Sequence, residues 1–332
     1  MNDWILSFLS GRSQSVVVNG ARSESCEVSS GVPQGSVLGP ILFLVYINDL
    51  PDTVTSDVRL FADDCILYRK IKKDTDIDIL QQDLTALHQW ESDWQMSFNA
   101  EKCNYMKIAG KVTTPHKYLL HGHQLEECTD SKYLGVNINN NLAWGQHCAN
   151  IAAKGNRSLG MLRRNLRTTN INLKSVAYKG LVRSGLEYAS TVWDPHQCKD
   201  INKVESVQRR AARYVCNDYN QEHSVTAMMS RLEWDPLQAR RQQARLSMFY
   251  KIIYDKVDIV GAAYYNKITR PTRNSHTHSI HRPTTKHNYY KFSFFPRTIA
   301  EWNSLSEDCV TQQSLDQFKA KLSGETVQGY NY

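Results

Sequence analysis

An α+β fold is what this sequence predicts, with strands confined to the first part of the chain and helices filling the rest. Three observations carry that expectation. Val58, Leu60 and Ala62 alternate with Arg59, Phe61 and Asp63, and Cys65-Ile66-Leu67-Tyr68 follows at once, the pattern of two short strands that turn on each other. Upstream, Ser29 to Tyr46 reads SSGVPQGSVLGPILFLVY, a Gly/Pro-rich loop opening directly into an apolar stretch of helix length. Beyond Asn141 the apolar residues recur every three or four positions, the period of helices packed on one face.

Taken in order, Ile5, Leu6, Phe8 and Leu9 suggest the end of a helix, and Gly11 to Gly20 a turn with a strand at Val16-Val17-Val18. Ser29 to Leu50 forms the loop and its helix, which Pro51 is expected to end because proline cannot continue the hydrogen-bond ladder. After the Asp63-Asp64 turn, Thr75 opens a helix with Asp78 three residues on as a box-like cap. Ile77, Leu80, Leu84, Leu87, Trp90 and Trp94 share one face of it and read as core. Tyr105 to Ile108 and Tyr133 to Ile138 read as returning strands. Helical spacing then covers Ile151 to Leu166, Leu173 to Trp193 and Ile201 to Cys216. Asp235-Pro236 supplies a cap and a first-turn proline for a further helix carrying Arg240, Arg241 and Arg245.

The chemistry begins with the paired carboxylates. Neighbouring side chains in a regular strand point to opposite faces, so Asp63 and Asp64 can serve one metal cluster only where the chain turns. Such a pair reads as half of a two-metal site, although most Asp-Asp pairs are ordinary solvated turns. The upstream loop shifts the balance: Gly31, Gly35 and Gly39 permit close backbone approach, and Gln34 offers an amide to a nucleotide.

Here the sequence resembles the palm of a reverse transcriptase from a non-LTR retrotransposon of the LINE, jockey-like type. Pro33-Gln34-Gly35 resembles the family's nucleotide-site motif B and Phe61-Ala62-Asp63-Asp64 its catalytic motif C, in the family's order and spacing. Asn99-Ala100-Glu101-Lys102-Cys103 resembles motif D, and Lys132-Tyr133-Leu134-Gly135-Val136 the primer grip. Ser206 to Arg213 and Ser293 to Thr298 also look like segments of jockey-like elements, so the likeness covers nearly the whole chain. It implies a partial palm, ferredoxin-like as in right-hand polymerases, at 1–140, a mainly helical thumb-like region at 141–258, and a basic, aromatic C-terminal region at 259–332. The implied function is RNA-directed DNA polymerase: Asp63 and Asp64 hold Mg²⁺, Pro33, Gln34 and Gly35 line the nucleotide site, Lys102 assists the leaving pyrophosphate, and Tyr133, Leu134 and Gly135 hold the primer end. RNA template, DNA primer and deoxynucleotides are the implied partners.

No segment matches the family's motif A strand and its Asp, and Met1 to Leu9 resembles the segment just after that strand. The expectation is therefore a truncated chain, inactive alone. A non-catalytic nucleic-acid-binding remnant is the alternative, and an incomplete gene whose product begins upstream is a third reading.

Charge separates along the 332 residues. Residues 1–140 hold 12 Lys/Arg against 18 Asp/Glu, and 141–332 hold 28 against 15, so the net +7 belongs to the second half. That field favours phosphate backbones without sequence preference, with Lys203, Arg209, Arg210 and Arg213 as one candidate face, opposite the stripe Ile201, Val204, Val207, Ala211 and Val215. A merely solvated basic face is the bland reading. From Ile259 to Ala300 no acidic residue occurs, while Arg270, Arg273, Arg282, Lys286, Lys291 and Arg297 interleave with Tyr289, Tyr290, Phe292, Phe294 and Phe295, a mixture suited to single strands. His276, His278, His281 and His287 lack nearby cysteines to complete a zinc pattern. Eight cysteines without a C-x-x-C pair imply reduced thiols in a reducing, intracellular compartment, nucleus or cytoplasm. The longest apolar run, Val37 to Ile47, falls short of the roughly 18 residues of a membrane span.

Overall fold

A computed structural model describes residues 1–108, 116–268 and 275–324. The chain divides into two compact units, the first built from 1–105 and 113–127, the second from 106–112 and 128–332.

In the first unit, α1 (Asn2–Leu9) buries none of its side chains. β1 (Arg12–Gln14), β2 (Val17–Val18), β3 (Ala21–Arg22) and β4 (Cys26–Val28) pair as two nested antiparallel ribbons, β1 with β4 and β2 with β3. α2 (Gly39–Ile47) starts on a glycine that tolerates no replacement, since a Cβ there would stand 2.9 Å from both the Pro33 carbonyl oxygen and the Ser36 hydroxyl. The helix ends at Ile47, ahead of Pro51, which instead sits in the first turn of a 3₁₀ helix, Leu50–Thr53. Proline suits that place because a first-turn N–H has no partner to lose.

β5 (Asp57–Phe61) and β6 (Asp64–Tyr68) form an antiparallel hairpin in the register Phe61↔Asp64 through Asp57↔Tyr68. The alternation works as read: Val58, Leu60, Cys65 and Leu67 pack against Ile47, Leu50, Leu87 and Trp90, with Phe43 of α2 beside them. α3 (Asp74–Trp94) supplies Leu87 and Trp90 to that core, whereas Trp94 is exposed. Its cap lies two residues before the expected Asp78, for the Asp76 carboxylate accepts the N–H groups of Lys72 and Lys73 at 2.8 and 2.9 Å. The buried Asp83 fastens α3 to the residues leading into β5 by accepting the N–H groups of Thr55 and Ser56, each at 2.9 Å.

β7 (Asn104–Tyr105) is shorter than expected, since Met106 to Ile108 are not strand, and it pairs in parallel with β10 (Glu126–Glu127). Between them, β8 (Leu119–Leu120) and β9 (His123–Gln124) make a hairpin whose two turn residues, His121 and Gly122, both have positive φ, as tight hairpins require. Tyr118, Leu120 and Leu125 press this segment onto Ile77, Leu80 and Leu84 of α3.

The second unit opens with β11 (Asp130–Tyr133) and β12 (Val136–Asn139), so the stretch read as one strand from Tyr133 to Ile138 is a hairpin turning on Leu134 and Gly135. Helices follow: α4 (Gly145–Asn165), α5 (Ile171–Tyr178), a π-helical turn at Lys179–Arg183, α6 (Ser184–Glu187), α7 (Cys198–Cys216), α8 (Val225–Arg231) and α9 (Leu237–Ile253). Pro236 itself is the N-cap of α9, one place later than expected. Ala152, Leu159 and Leu162 of α4 and Val204, Val207, Ala211 and Val215 of α7 form the main core with Tyr178 and Leu186. Gly155 brings α4 against Leu186 and Val207, where a Cβ would stand 2.9 and 3.2 Å away.

After α10 (Asn288–Lys291) come α11 (Phe294–Trp302), α12 (Glu307–Val310) and α13 (Leu315–Leu322). Ile299, Trp302, Val310 and Phe318 share a core with Leu246, Phe249 and Tyr250 of α9. Among the described residues no helix is long and apolar enough to cross a membrane.

Candidate active site and nucleic-acid interface

The hairpin turn consists of Ala62 and Asp63, with Ala62 left-handed at φ 51° and Asp64 the first residue of β6. A two-residue turn breaks the strict alternation of the strand, and both carboxylates stand exposed at the tip. The donors there are oxygens open to solvent, which fits a hard divalent ion that keeps some of its waters. Tight packing of β5 and β6 on α2 and α3 gives the tip a rigid base.

The Pro33-Gln34-Gly35 loop leads into α2, which packs on the same core through Phe43 and Ile47. Gly31 and Gly35 take positive φ of 73° and 78°, and the Ser36 hydroxyl donates to the Pro33 carbonyl at 2.7 Å while accepting the Gly39 N–H at 3.0 Å. Pro33 is thereby fixed, and the Gln34 side chain is exposed at the bend beside Gly35. Lys102 ends a 3₁₀ turn, Ala100–Lys102, whose N-cap Asn99 accepts the Lys102 N–H at 3.3 Å through its side chain; Lys102 itself is exposed. These residues all belong to the first unit.

Tyr133, Leu134 and Gly135 belong to the second unit. The Tyr188 hydroxyl donates to the Leu134 carbonyl at 3.0 Å, and the same ring would stand 3.1 Å from a Cβ at Gly135. The turn therefore needs glycine twice over, for its φ of 84° and for this contact.

On α7 the apolar stripe is core, leaving a narrow strip for Lys203, Arg209 and Arg210, all exposed, and the half-buried Arg213. Arg210 donates to Asn156 of α4 at 2.8 Å, so the strip continues onto α4, where Lys154, Arg157, Arg163 and Arg164 are exposed. Arg213 is partly committed, donating to the Asn220 carbonyl at 2.6 Å. The arginines of α9 contribute little to the surface. Arg241 and Arg245 are buried, with Arg241 on Asp194 at 2.7 Å and Arg245 on Asp194 and Glu301 at 3.0 Å each. Arg297, counted among the basic residues of the C-terminal region, joins them at 3.2 Å from Asp194, and Arg240 pairs with Glu187. Phe294 and Phe295 pack onto the core as well, while Tyr289, Tyr290, Arg282 and Lys286 are exposed; Arg270 and Arg273 lie outside the described residues.

Among the described residues, the histidines singled out near the C-terminus form no metal-ligating group. His276 is buried and bonded to the Trp302 carbonyl at 3.0 Å, and His278 packs on Tyr254. Sequence reading missed a different group, His88, Glu91 and His121, because only the His-x-x-Glu spacing on α3 is local and the third member comes from a distant hairpin.

Residues 1–138 match the reverse transcriptase (RNA-dependent DNA polymerase) family. The RNA-directed DNA polymerase from mobile element jockey of Drosophila funebris is 27% identical over 292 residues, covering 84% of this chain and 29% of the relative. The probable RNA-directed DNA polymerases from transposon X-element and transposon BS of Drosophila melanogaster are 27% and 29% identical, over 63% of this chain and 24% and 25% of their own lengths. The chain thus spans under a third of each of these relatives. No solved structure matches it.

Proposed function

From the premise that its first 138 residues are reverse transcriptase sequence and that its homologues are non-LTR retrotransposon RNA-directed DNA polymerases, we propose that this chain carries part of such a polymerase's palm, thumb-like region and C-terminal region. The observation that carries the reading is the hairpin that sets Asp63 and Asp64 at one exposed tip, on the core against which α2, the helix that follows the Pro33-Gln34-Gly35 loop, packs. In this proposal the two carboxylates hold Mg²⁺, and the oxygen-only donor set at the tip supports that choice over a softer ion. Bound Mg²⁺ supplies charge stabilisation to the attacking and leaving oxygens of nucleotidyl transfer. Gln34 and Gly35 then shape the nucleotide site, Lys102 meets the pyrophosphate, and Tyr133, Leu134 and Gly135 orient the primer end. RNA template, DNA primer and deoxynucleotides are the proposed ligands.

Two carboxylates are fewer than a bridged pair of ions needs, and no third acidic residue accompanies them in a matching motif. The 332 residues alone are accordingly proposed to be inactive. The test is primer extension on an RNA template by a jockey polymerase whose corresponding segment is replaced by residues 1–138. Extension that Asp63→Ala abolishes is the expected result. A chimaera that folds and binds primer yet stays inactive overturns the assignment.

A second reading, nucleic-acid binding without polymerisation, is favoured by one observation, the exposed strip of Lys203, Arg209 and Arg210 that continues onto α4.

A further inference from the structure

His88, Glu91 and His121 lie in the first unit, and their ligand atoms all fall within 4.8 Å of one another. We propose that they form a site for a borderline transition-metal ion, Zn²⁺ in first place, that staples the hairpin β8–β9 to α3. The site is independent of the polymerase reading.

Each ligand is placed by the fold. His88 and Glu91 are three apart on α3, a spacing that sets two side chains on one helical face. His121 occupies the left-handed turn between β8 and β9, and that hairpin is clamped to α3 from another side. The Gln81 amide donates to the Leu119 carbonyl at 2.9 Å and accepts the Leu119 N–H at 2.8 Å. Glu91 is buried, and its Oε1 is occupied by the Phe98 N–H at 2.7 Å. Its Oε2 faces the imidazoles, 3.6 Å from His88 Nδ1 and in direct contact with His121 Nε2. Among the described residues no Lys or Arg pairs with this buried carboxylate, so two imidazoles are its nearest cationic or metal-bearing partners.

Bonds of about 2.0–2.2 Å place tetrahedral zinc ligands about 3.4 Å apart, close to the His88–Glu91 separation already present. Opening the His121–Glu91 contact, with the His88 and His121 nitrogens already within 4.8 Å of each other, brings the three to that spacing. Two nitrogens and one oxygen suit zinc better than the hard magnesium expected at Asp63 and Asp64. The backbone hydrogen bond to Oε1 acts as the outer partner that orients a ligating carboxylate. His88 is 52% exposed, so a water completes the fourth position.

The test is titration of the chelator-stripped full chain with Co²⁺, read by visible d–d absorption, followed by displacement with Zn²⁺ and a thermal melt. One equivalent is expected to bind with no thiolate-to-cobalt band, and Zn²⁺ is expected to raise the melting temperature. His88→Gln, on the exposed side of α3, and His121→Asn, which tolerates the left-handed turn, should each weaken binding by more than about 100-fold, beyond the loss of an outer partner alone. His276→Gln with His278→Gln should change nothing. Absence of binding, a thiolate band, or unaltered affinity in folded His88→Gln overturns the proposal.

Discussion

Ala62 holds a conformation that costs a residue with a Cβ roughly 1–2 kcal/mol. Replacing it with glycine removes that cost and adds about 0.4–1 kcal/mol of unfolded-chain entropy, so a net stabilisation of the first unit by about 0.5–1 kcal/mol is expected. The measurement is the urea midpoint, and a lowered one counts against the turn. His147 makes a separate prediction in the second unit. Its Nδ1 accepts the Asn137 N–H at 3.2 Å, which leaves the proton on Nε2, buried without a hydrogen-bond partner among the described residues. Burial pushes its pKa from the ordinary 6.5 down to about 4. Between those values the unfolded chain binds the proton and the folded chain refuses it, so the contribution is complete above pH 6.5 and lost as pH falls towards 4. The imidazole resonance of His147 should stay unshifted until pH nears 4; a midpoint at the ordinary value removes the argument.

At the scale of elements, α2 leaves much of its apolar surface bare although Phe43 and Ile47 reach the core. Ile41, Leu44 and Val45 are 54%, 53% and 71% exposed, and β5 and β6 pair only with each other among the described residues. Bare apolar surface beside open strand edges favours self-association. Light scattering should therefore fall in Leu44→Lys with Val45→Glu, at a stability change within about 0.5 kcal/mol as for other surface sites. In the second unit, Asp194 stands among Arg241, Arg245 and Arg297, and deleting its carboxylate strands buried cations. Asp194→Ala should cost about 3–5 kcal/mol by thermal denaturation. A loss below about 1 kcal/mol, ordinary for an exposed pair, refutes the buried-network account.

These two elements also mark what the sequence disclosed. The Asp hairpin was readable because alternation and the turn are both local to a dozen residues or so, and the α7 stripe because helical period is local too. Arg241, Arg245 and Arg297 read as surface charge because their partners lie far along the chain, Asp194 47 residues from Arg241 and Glu301 56 from Arg245. Caps slipped by a residue or two for the opposite reason: Thr75, Asp76 and Asp78 all suit a helix start, and only the backbone decides that Asp76 reaches back. His121 was invisible beside Glu91 for want of any local cue across 30 residues.

For the molecule as a whole, the purified 332 residues are expected to bind nucleic acid without extending a primer. Substituting Lys203, Arg209 and Arg210 with Gln should weaken binding alike for unrelated sequences and flatten the salt dependence by roughly 0.7–0.9 for each phosphate that is no longer neutralised. Asp63→Asn should leave the affinity unchanged. A triple variant that binds with wild-type salt dependence, while folded, eliminates the basic strip.

The ionic cluster has a consequence in time. Arg297 donates to the Asp194 carbonyl across 103 residues of chain, and a ribosome adding about 5–20 residues per second needs about 5–20 s to make that span. Asp194 meets Arg241 well before Arg297 emerges, so the nascent second unit waits with half of its charge cluster in place. For the last part of that span, the 41 residues from Ile253 to Phe294 or about 2–8 s, the apolar face of α9 lacks α11, and that interval is when a chaperone has most to hold.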